Sequence, residues 1–179
     1  MRGSTQLAEQ MTGREFSQLM NRFYASATDV LIKRDALIDK LVGDEVIGLF
    51  LPLFSGRAHA LVAVEAAKDL LRVTDHLAAG AGSWLSIGIG VNTGRAYVGT
   101  VRGAEGTFSD ITALGDCVNV TSRLAATAGP GEALISETTY RASGLSPGGH
   151  ERRELKLKGK ADPVTVRVLK GPAPDSSQN

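Results

Sequence analysis

Phe16, Leu19, Met20, Phe23, Ala27, Val30 and Leu31 recur at helical spacing and predict an amphipathic helix ending near Arg34. Thr12 and Glu15 stand three apart just before it and form the signature of a capping box. From Ala36 to Leu53 the pattern changes to a strand, a turn and a strand. Within it, "LVGDEVIGLF" places Val46, Gly48 and Phe50 on one face and Ile47 and Leu49 on the other. Gly43 supplies the positive φ that the turn before Glu45 needs, and Asp44 is the other turn residue. A second helix is predicted from about Arg57 to Ala78, with Leu61, Val64, Ala67, Leu70 and Leu71 buried and Gly80 to Gly82 ending it.

Two strands follow, Trp84 to Val91 and Ala96 to Val101, joined by a turn at Asn92 to Gly94. A polar loop over Arg102 to Thr107 leads to a helix that opens at Gly115 or Asp116 and runs through Arg123 to Ala128. Gly129, Pro130 and Gly131 stop it. The rest reads as a short strand (Ala133 to Ser136), a short helix (Glu137 to Ser143) and a hairpin of Leu155 to Lys158 with Val164 to Leu169. Residues 1–170 form one domain, and Gly171 to Asn179 are Pro/Ser/Gln-rich and expected to be disordered. Helices alternating with strands give an α+β class, an α/β sandwich with helices packed on one sheet.

Composition narrows the function classes. A chain of 179 residues can bury a real core, and its formal net charge of +1 offers no bulk attraction to nucleic acid or a membrane surface. No apolar run approaches the ~20 residues of a transmembrane helix. One cysteine, Cys117, excludes an internal disulfide and fits a reducing, cytoplasmic location. That cysteine and three scattered histidines make a poor zinc site, so His59, His76 and His150 are read as surface or packing residues. The 21 glycines point to tight turns and close backbone approaches.

Candidate chemistry lies at a few polar positions. Asn119 and Arg123 are four apart and share a helix face, where Asn can orient a sugar oxygen and Arg can fork onto a phosphate. Lys156, Lys158 and Lys160 alternate along a predicted strand and so share one face. Each has an ordinary explanation as well: a turn aspartate, a solvated helix stripe, a lysine row that protects a sheet edge.

Their order along the chain is more specific. "DKLVGDEVIGLF", "IGIGVNTGRAYVGTV", "LGDCVNVTSRLAATAGPGEALIS" and "ELKLKGKADPVTVRVL" together resemble the class III nucleotidyl cyclase catalytic domain, nearly to Lys170. The resemblance implies a ferredoxin-like βαββαβ-derived fold. It implies two Mg²⁺ or Mn²⁺ ions per site, ATP as substrate, cyclic AMP and pyrophosphate as products, and a head-to-tail homodimer with shared sites. Asp44 matches a metal-binding aspartate, with the Met1 carbonyl as a further ligand. Lys40 and Thr112 match the purine-reading pair: a Lys donor suits adenine N1, and a Thr hydroxyl accepts from the N6 amine. Asn119 matches the residue that orients the ribose and Arg123 the one that stabilises transition-state charge. Lys158, with Lys160 as the alternative, matches the β/γ-phosphate ligand. Gly3, Ser4 and Thr5 match backbone amides that cradle phosphates. Sensory or regulatory domains in this family usually lie outside the domain.

Met1 to Thr5 align immediately after the family's first metal aspartate, so strand one and that ligand fall outside this sequence. The expected consequences are exposed backbone and apolar groups along the sheet, and weak or absent activity in this form. Two functions follow: an adenylate cyclase domain, or a catalytically silent cyclase-homology module that dimerises and regulates.

Overall fold

The computed structural model describes residues 1–81, 86–102, 109–146 and 148–171. A short helix α1 (Ser4–Gln10) precedes the long α2 (Gly13–Lys33). The capping box forms: the Glu15 amide donates to the Thr12 hydroxyl at 3.3 Å, and the Thr12 amide donates to the Glu15 carboxylate at 2.8 Å. Leu19, Met20, Phe23, Ala27, Val30 and Leu31 are buried, as their spacing requires. Strands β1 (Leu37–Val42) and β2 (Glu45–Leu49) form the hairpin, and Val42 pairs with Glu45 so that Gly43 and Asp44 alone make the turn. Gly43 has φ 57°, which suits the first central position of such a two-residue turn. Beyond Leu49 the strand pattern stops, because Pro52 opens a single helical turn, α3 (Pro52–Ser55). After a 3₁₀ turn at Gly56–Ala58, α4 (His59–Ala81) runs three residues past the predicted end at Ala78, through Gly80.

Strand β3 (Gly88–Val91) starts later than the predicted strand, of which Trp84 and Leu85 lie outside the described residues. Strand β4 (Tyr97–Arg102) pairs with β5 (Ser109–Leu114), an element the sequence pattern did not reveal. Residues 103–107 of the predicted polar loop lie outside the described residues. Helix α5 (Asp116–Thr127), strand β6 (Glu132–Ser136) and helix α6 (Glu137–Ala142) follow as expected. The closing hairpin is β7 (Glu151–Leu155) with β8 (Val164–Lys170), and residues 172–179 lie outside the described residues.

Among the described residues the strands form three ladders rather than one sheet: β1-β2, β4-β5, and a four-stranded sheet in the order β3-β6-β8-β7. Among them no ladder joins β2 to β3, and backbone links near this seam include Arg2 N–H to the Ser86 carbonyl (2.7 Å) and the Met1 ammonium to the Asp44 carbonyl (2.9 Å). Two core clusters flank the four-stranded sheet. Ala133 and Ile135 of β6 pack with Leu19, Met20, Phe23 of α2 and Val64, Ala67, Leu71 of α4. Leu134 points the other way, with Val120 and Leu124 of α5, Ala128 just after it, and Val166 and Val168 of β8. This is the period-two alternation of a strand buried on both faces, in an α+β layer architecture. Of the predicted buried face of α4, Leu61 is exposed instead, while Ala60, Ala63 and Ala66 are buried beside Val64, Ala67 and Leu71.

One contact fixes the second layer. A Cβ at Gly90 of β3 would lie 2.4 Å from both the Ala125 amide nitrogen and the Thr121 carbonyl oxygen, so α5 rests its backbone directly on the strand. Both are backbone atoms and neither can swing aside. Gly90→Ala is therefore expected to destabilise the fold by about 1–3 kcal/mol or more, as overpacking does. Urea unfolding measures it, and an unchanged midpoint would disprove the direct contact.

Candidate active site

Asp44 stands at the tip of the β1–β2 hairpin. The Ser4 hydroxyl donates to its carboxylate at 2.6 Å, the Met1 ammonium lies 3.4 Å from the same oxygen, and the Tyr24 hydroxyl donates to the neighbouring Gly43 carbonyl. Partial burial pushes the Asp44 carboxyl up, but the Ser4 hydroxyl and the Met1 ammonium outweigh it and hold the group below its ordinary range. Among the described residues no cluster of three or more His, Cys, Asp or Glu side chains could cage a metal alone. The donors at the hairpin tip, a carboxylate beside a hydroxyl, are hard oxygens of the kind that Mg²⁺ or Mn²⁺ takes together with substrate phosphates. The residues present thus fit a metal ion that brings phosphate with it. Ser4 presents its side chain to Asp44, while Gly3 is the left-handed N-cap of α1 and Thr5 lies in its first turn.

Lys40 and Thr112 come together from distant parts of the chain. The β1–β2 register shifts between Ile38 and Lys40, a bulge that leaves Asp39 without a ladder partner. Asp39 and Lys40, consecutive in sequence, therefore both reach β5. The Lys40 ammonium donates to the Asp110 carboxylate, and the Thr112 hydroxyl donates to the Asp39 carboxylate at 3.3 Å. Asp110 and Thr112 are two apart on β5 and so share a face, and Thr112 is buried. The hydrogen bond to Asp110, outweighing partial desolvation, holds the Lys40 ammonium above its usual pKa. Thr112, which sequence alone would allow as a turn residue before the helix, is mid-strand, where its partner is Gly99.

Asn119 and Arg123 lie one turn apart on α5, with Asn119 exposed and Arg123 half-buried. The Arg123 guanidinium abuts Gly159, where an added Cβ would stand 3.3 Å from its Nη1. Residues 156–163 are not a strand: β7 ends at Leu155, which pairs with Val164, and Pro163 has no amide hydrogen to extend the ladder. Lys156, Lys158 and Lys160 consequently do not share a strand face. Lys160 donates to the Asp116 carboxylate at 2.5 Å, whereas Lys158 is exposed in the turn beside Gly159 and has no ion-pair partner among the described residues. Cys117 is packed, its thiol donating to the Arg95 carbonyl at 3.1 Å and its Cβ where a Cβ at Gly94 would fall. His150 is a packing residue, edge-on to Tyr140 with ring centroids 5.6 Å apart.

Sequence reasoning missed Asp39 and Asp110. The bulge that turns Asp39 toward β5 has no signature in the residue pattern, and β5 itself was hidden among polar residues.

Because the folded Asp44 carboxyl titrates below its ordinary value, its contribution is present above the unfolded pKa near 4 and is lost as pH falls through the lower, folded pKa. Stability measured between about pH 5 and pH 2 should lose part of its slope in Asp44→Asn. An identical profile in the variant would show that the Ser4 and Met1 contacts carry no weight.

The sequence profile of the adenylate and guanylate cyclase catalytic domain matches residues 1–170. The terminal-differentiation-specific adenylate cyclase of Dictyostelium discoideum is 30% identical over 98% of this chain, and an adenylate cyclase of Anabaena cylindrica is 28% identical over 95%. This chain spans only 8% and 35% of those two proteins. The guanylyl cyclase Cya2 superposes with a TM-score of 0.84 at 29% identity, covering 100% of this chain and 92% of that one. The adenylyl cyclase CyaB from P. aeruginosa does so at 0.76 and 28%, covering 95% and 90%. Adenylate and guanylate cyclases thus both stand among the similar proteins. With a profile match across nearly its full length and a fold shared with solved cyclase domains, the chain belongs to the adenylate and guanylate cyclase catalytic domain family.

Proposed function

We propose that this chain is the catalytic domain of an adenylate cyclase, turning ATP into 3′,5′-cyclic AMP and pyrophosphate at sites shared by two head-to-tail copies. The observation that carries the choice of ATP is the juxtaposition of Lys40 and Thr112 across β1 and β5. A lysine ammonium can donate to adenine N1, and a threonine hydroxyl can accept from the N6 amine. Guanine reverses both edges, presenting a donor at N1 and an acceptor at O6.

The remaining residues fit the reaction in turn. Asn119 holds the ribose so that its 3′-oxygen lies in line with the α-phosphorus. That oxygen bonds to the α-phosphorus, the bond to the β-bridging oxygen breaks, and pyrophosphate leaves while the 3′-proton passes to solvent. Arg123, beside Gly159, stabilises the charge that builds on the α-phosphoryl oxygens. Lys158 holds the β- and γ-phosphates, because Lys160 is already engaged by Asp116. Gly3, Ser4 and Thr5 contribute less to phosphate binding than their amides suggest, since α1 has only seven residues and a weak dipole. Bound Mg²⁺ or Mn²⁺, held with Asp44, would acidify the 3′-hydroxyl and neutralise phosphate charge.

Pairing of two copies is supported by apolar side chains on the β4–β5 arm and the hairpin. Ile111 is 62% exposed, Tyr97 59% and Val42 57%, with Leu41, Val98 and Leu114 beside them in the chain. The competing reading, a silent dimerising module, is favoured by one observation: the Asp44 carboxylate is already partnered by the Ser4 hydroxyl.

Cyclic AMP formation from ATP with Mn²⁺, at high protein concentration and with GTP alongside, separates the two. Weak activity with ATP at most is expected, falling to background in Asp44→Ala and in Arg123→Ala. Those two variants mixed should recover activity that neither has alone, because a pair of unlike copies retains one intact shared site. A folded protein inactive with both nucleotides would overturn the reading of this form as an active cyclase, and active variants without complementation would sink the shared site.

A further inference from the structure

Lys40 and Thr112 can discriminate adenine only if each presents the right polarity to the base. Neither does so by its own chemistry alone. A lysine ammonium carries three donors on a four-carbon stem that sweeps a wide volume. A threonine hydroxyl is ambivalent: it donates or accepts according to how its hydrogen is turned. Left free, the hydroxyl could rotate to donate to guanine O6, and the pair would lose half its selectivity.

Two carboxylates remove that freedom. Asp110 takes one hydrogen of the Lys40 ammonium, which anchors the side chain against β5 and leaves two donors for a ligand. Asp39 accepts the Thr112 hydrogen at 3.3 Å, so that only lone pairs are left to face a base. Both contacts depend on the bulge between Ile38 and Lys40, since a regular strand would send Asp39 and Lys40 to opposite faces. The pairing is crossed: each acid holds the reader contributed by the other strand. Lys40 and Asp110 have side chains 30% and 40% exposed, enough to leave the ammonium open to a ligand.

We propose that Asp110 and Asp39 are positioning residues for nucleotide choice, Asp110 aiming the Lys40 ammonium and Asp39 locking the Thr112 hydroxyl as an acceptor, so that the site takes adenine and rejects guanine. The proposal rests on the assignment of Lys40 and Thr112 as the purine-reading pair. Neither acid touches the base; each acts through the residue it holds.

The test uses 3′-deoxy-ATP and 3′-deoxy-GTP with Mn²⁺, which lack the attacking hydroxyl and so report binding alone. Their affinities are measured on the full chain, with thermal midpoints confirming that each variant is folded. Asp110→Asn is expected to weaken 3′-deoxy-ATP by about tenfold, the scale of one charge-assisted hydrogen bond, while 3′-deoxy-GTP stays within about twofold. Asp110→Glu should recover most of the loss. Asp39→Ala should act on the other side of the ratio, strengthening 3′-deoxy-GTP, because the freed Thr112 hydroxyl can donate to O6. Lys40→Ala tests the underlying assignment and must itself collapse the preference for adenine. If Lys40→Ala leaves the ratio unmoved, the purine-reading assignment fails and the proposal with it. If Lys40→Ala collapses the ratio while both acid variants keep it, or lower both affinities in parallel, the assignment stands and the proposal is overturned. Should Asp110→Asn not fold, Asp39→Ala decides by the same ratio.

Discussion

The contact of α5 with β3 at Gly90 is the constraint on which the arrangement of the site depends. A helix normally stands off a sheet by the depth of two side-chain layers. Here, strand and helix backbones touch because one residue has no side chain. The approach seats Leu124 and Val120 against Leu134, Val166 and Val168, and it sets the height at which Asn119 and Arg123 emerge. The loop after β7 then meets Arg123 through another glycine, Gly159. Two close approaches at glycines therefore place the side chains proposed to face phosphate.

The other half of the candidate site is built on a hairpin. Among the described residues the β1–β2 ladder is not paired with the four-stranded sheet, and its tip is held by Tyr24, Ser4 and Met1. Rigidity here comes from polar contacts around Gly43 and Asp44, whereas α5 is held by apolar burial. The two halves also differ in what they offer a nucleotide. The hairpin tip offers an acid, the β1–β5 seam carries the two residues proposed to read a base edge, and α5 with the loop of residues 156–163 supplies positive charge. Among the described residues no hydrogen bond joins the Asp44 group to the Lys40–Thr112 group.

Asp44, Asn119 and Arg123 could be picked out of the sequence because each sits in a local motif: a two-residue turn, or two positions one helical turn apart. Lys158 could be picked out only as one of a row, and the row was misplaced on a strand that ends at Leu155. Thr112 was found by family resemblance but assigned no secondary structure, since "SDITAL" mixes polar and apolar residues without a clear period. Periodicity alone predicts Leu61 buried, yet it is exposed while the small residues Ala60, Ala63 and Ala66 are the buried ones, so apolar spacing did not record which positions α4 turns inward.

By itself, the sequence determined helices α2, α4, α5 and α6, the capping box of α2, the hairpin turn and the identity of the family. These follow from period, from turn chemistry and from the order of short motifs, all of which act within a few residues of chain. Tertiary structure alone decided that the strands fall into three ladders, that Lys160 is taken by Asp116, and that Asp39 and Asp110 hold the two candidate base readers. Each of these depends on residues about 40 to 70 positions apart meeting through a bulge or a loop. A bulge reverses the direction of a side chain at the cost of one unpaired residue, and nothing in the local pattern of hydrophobic and polar positions records it.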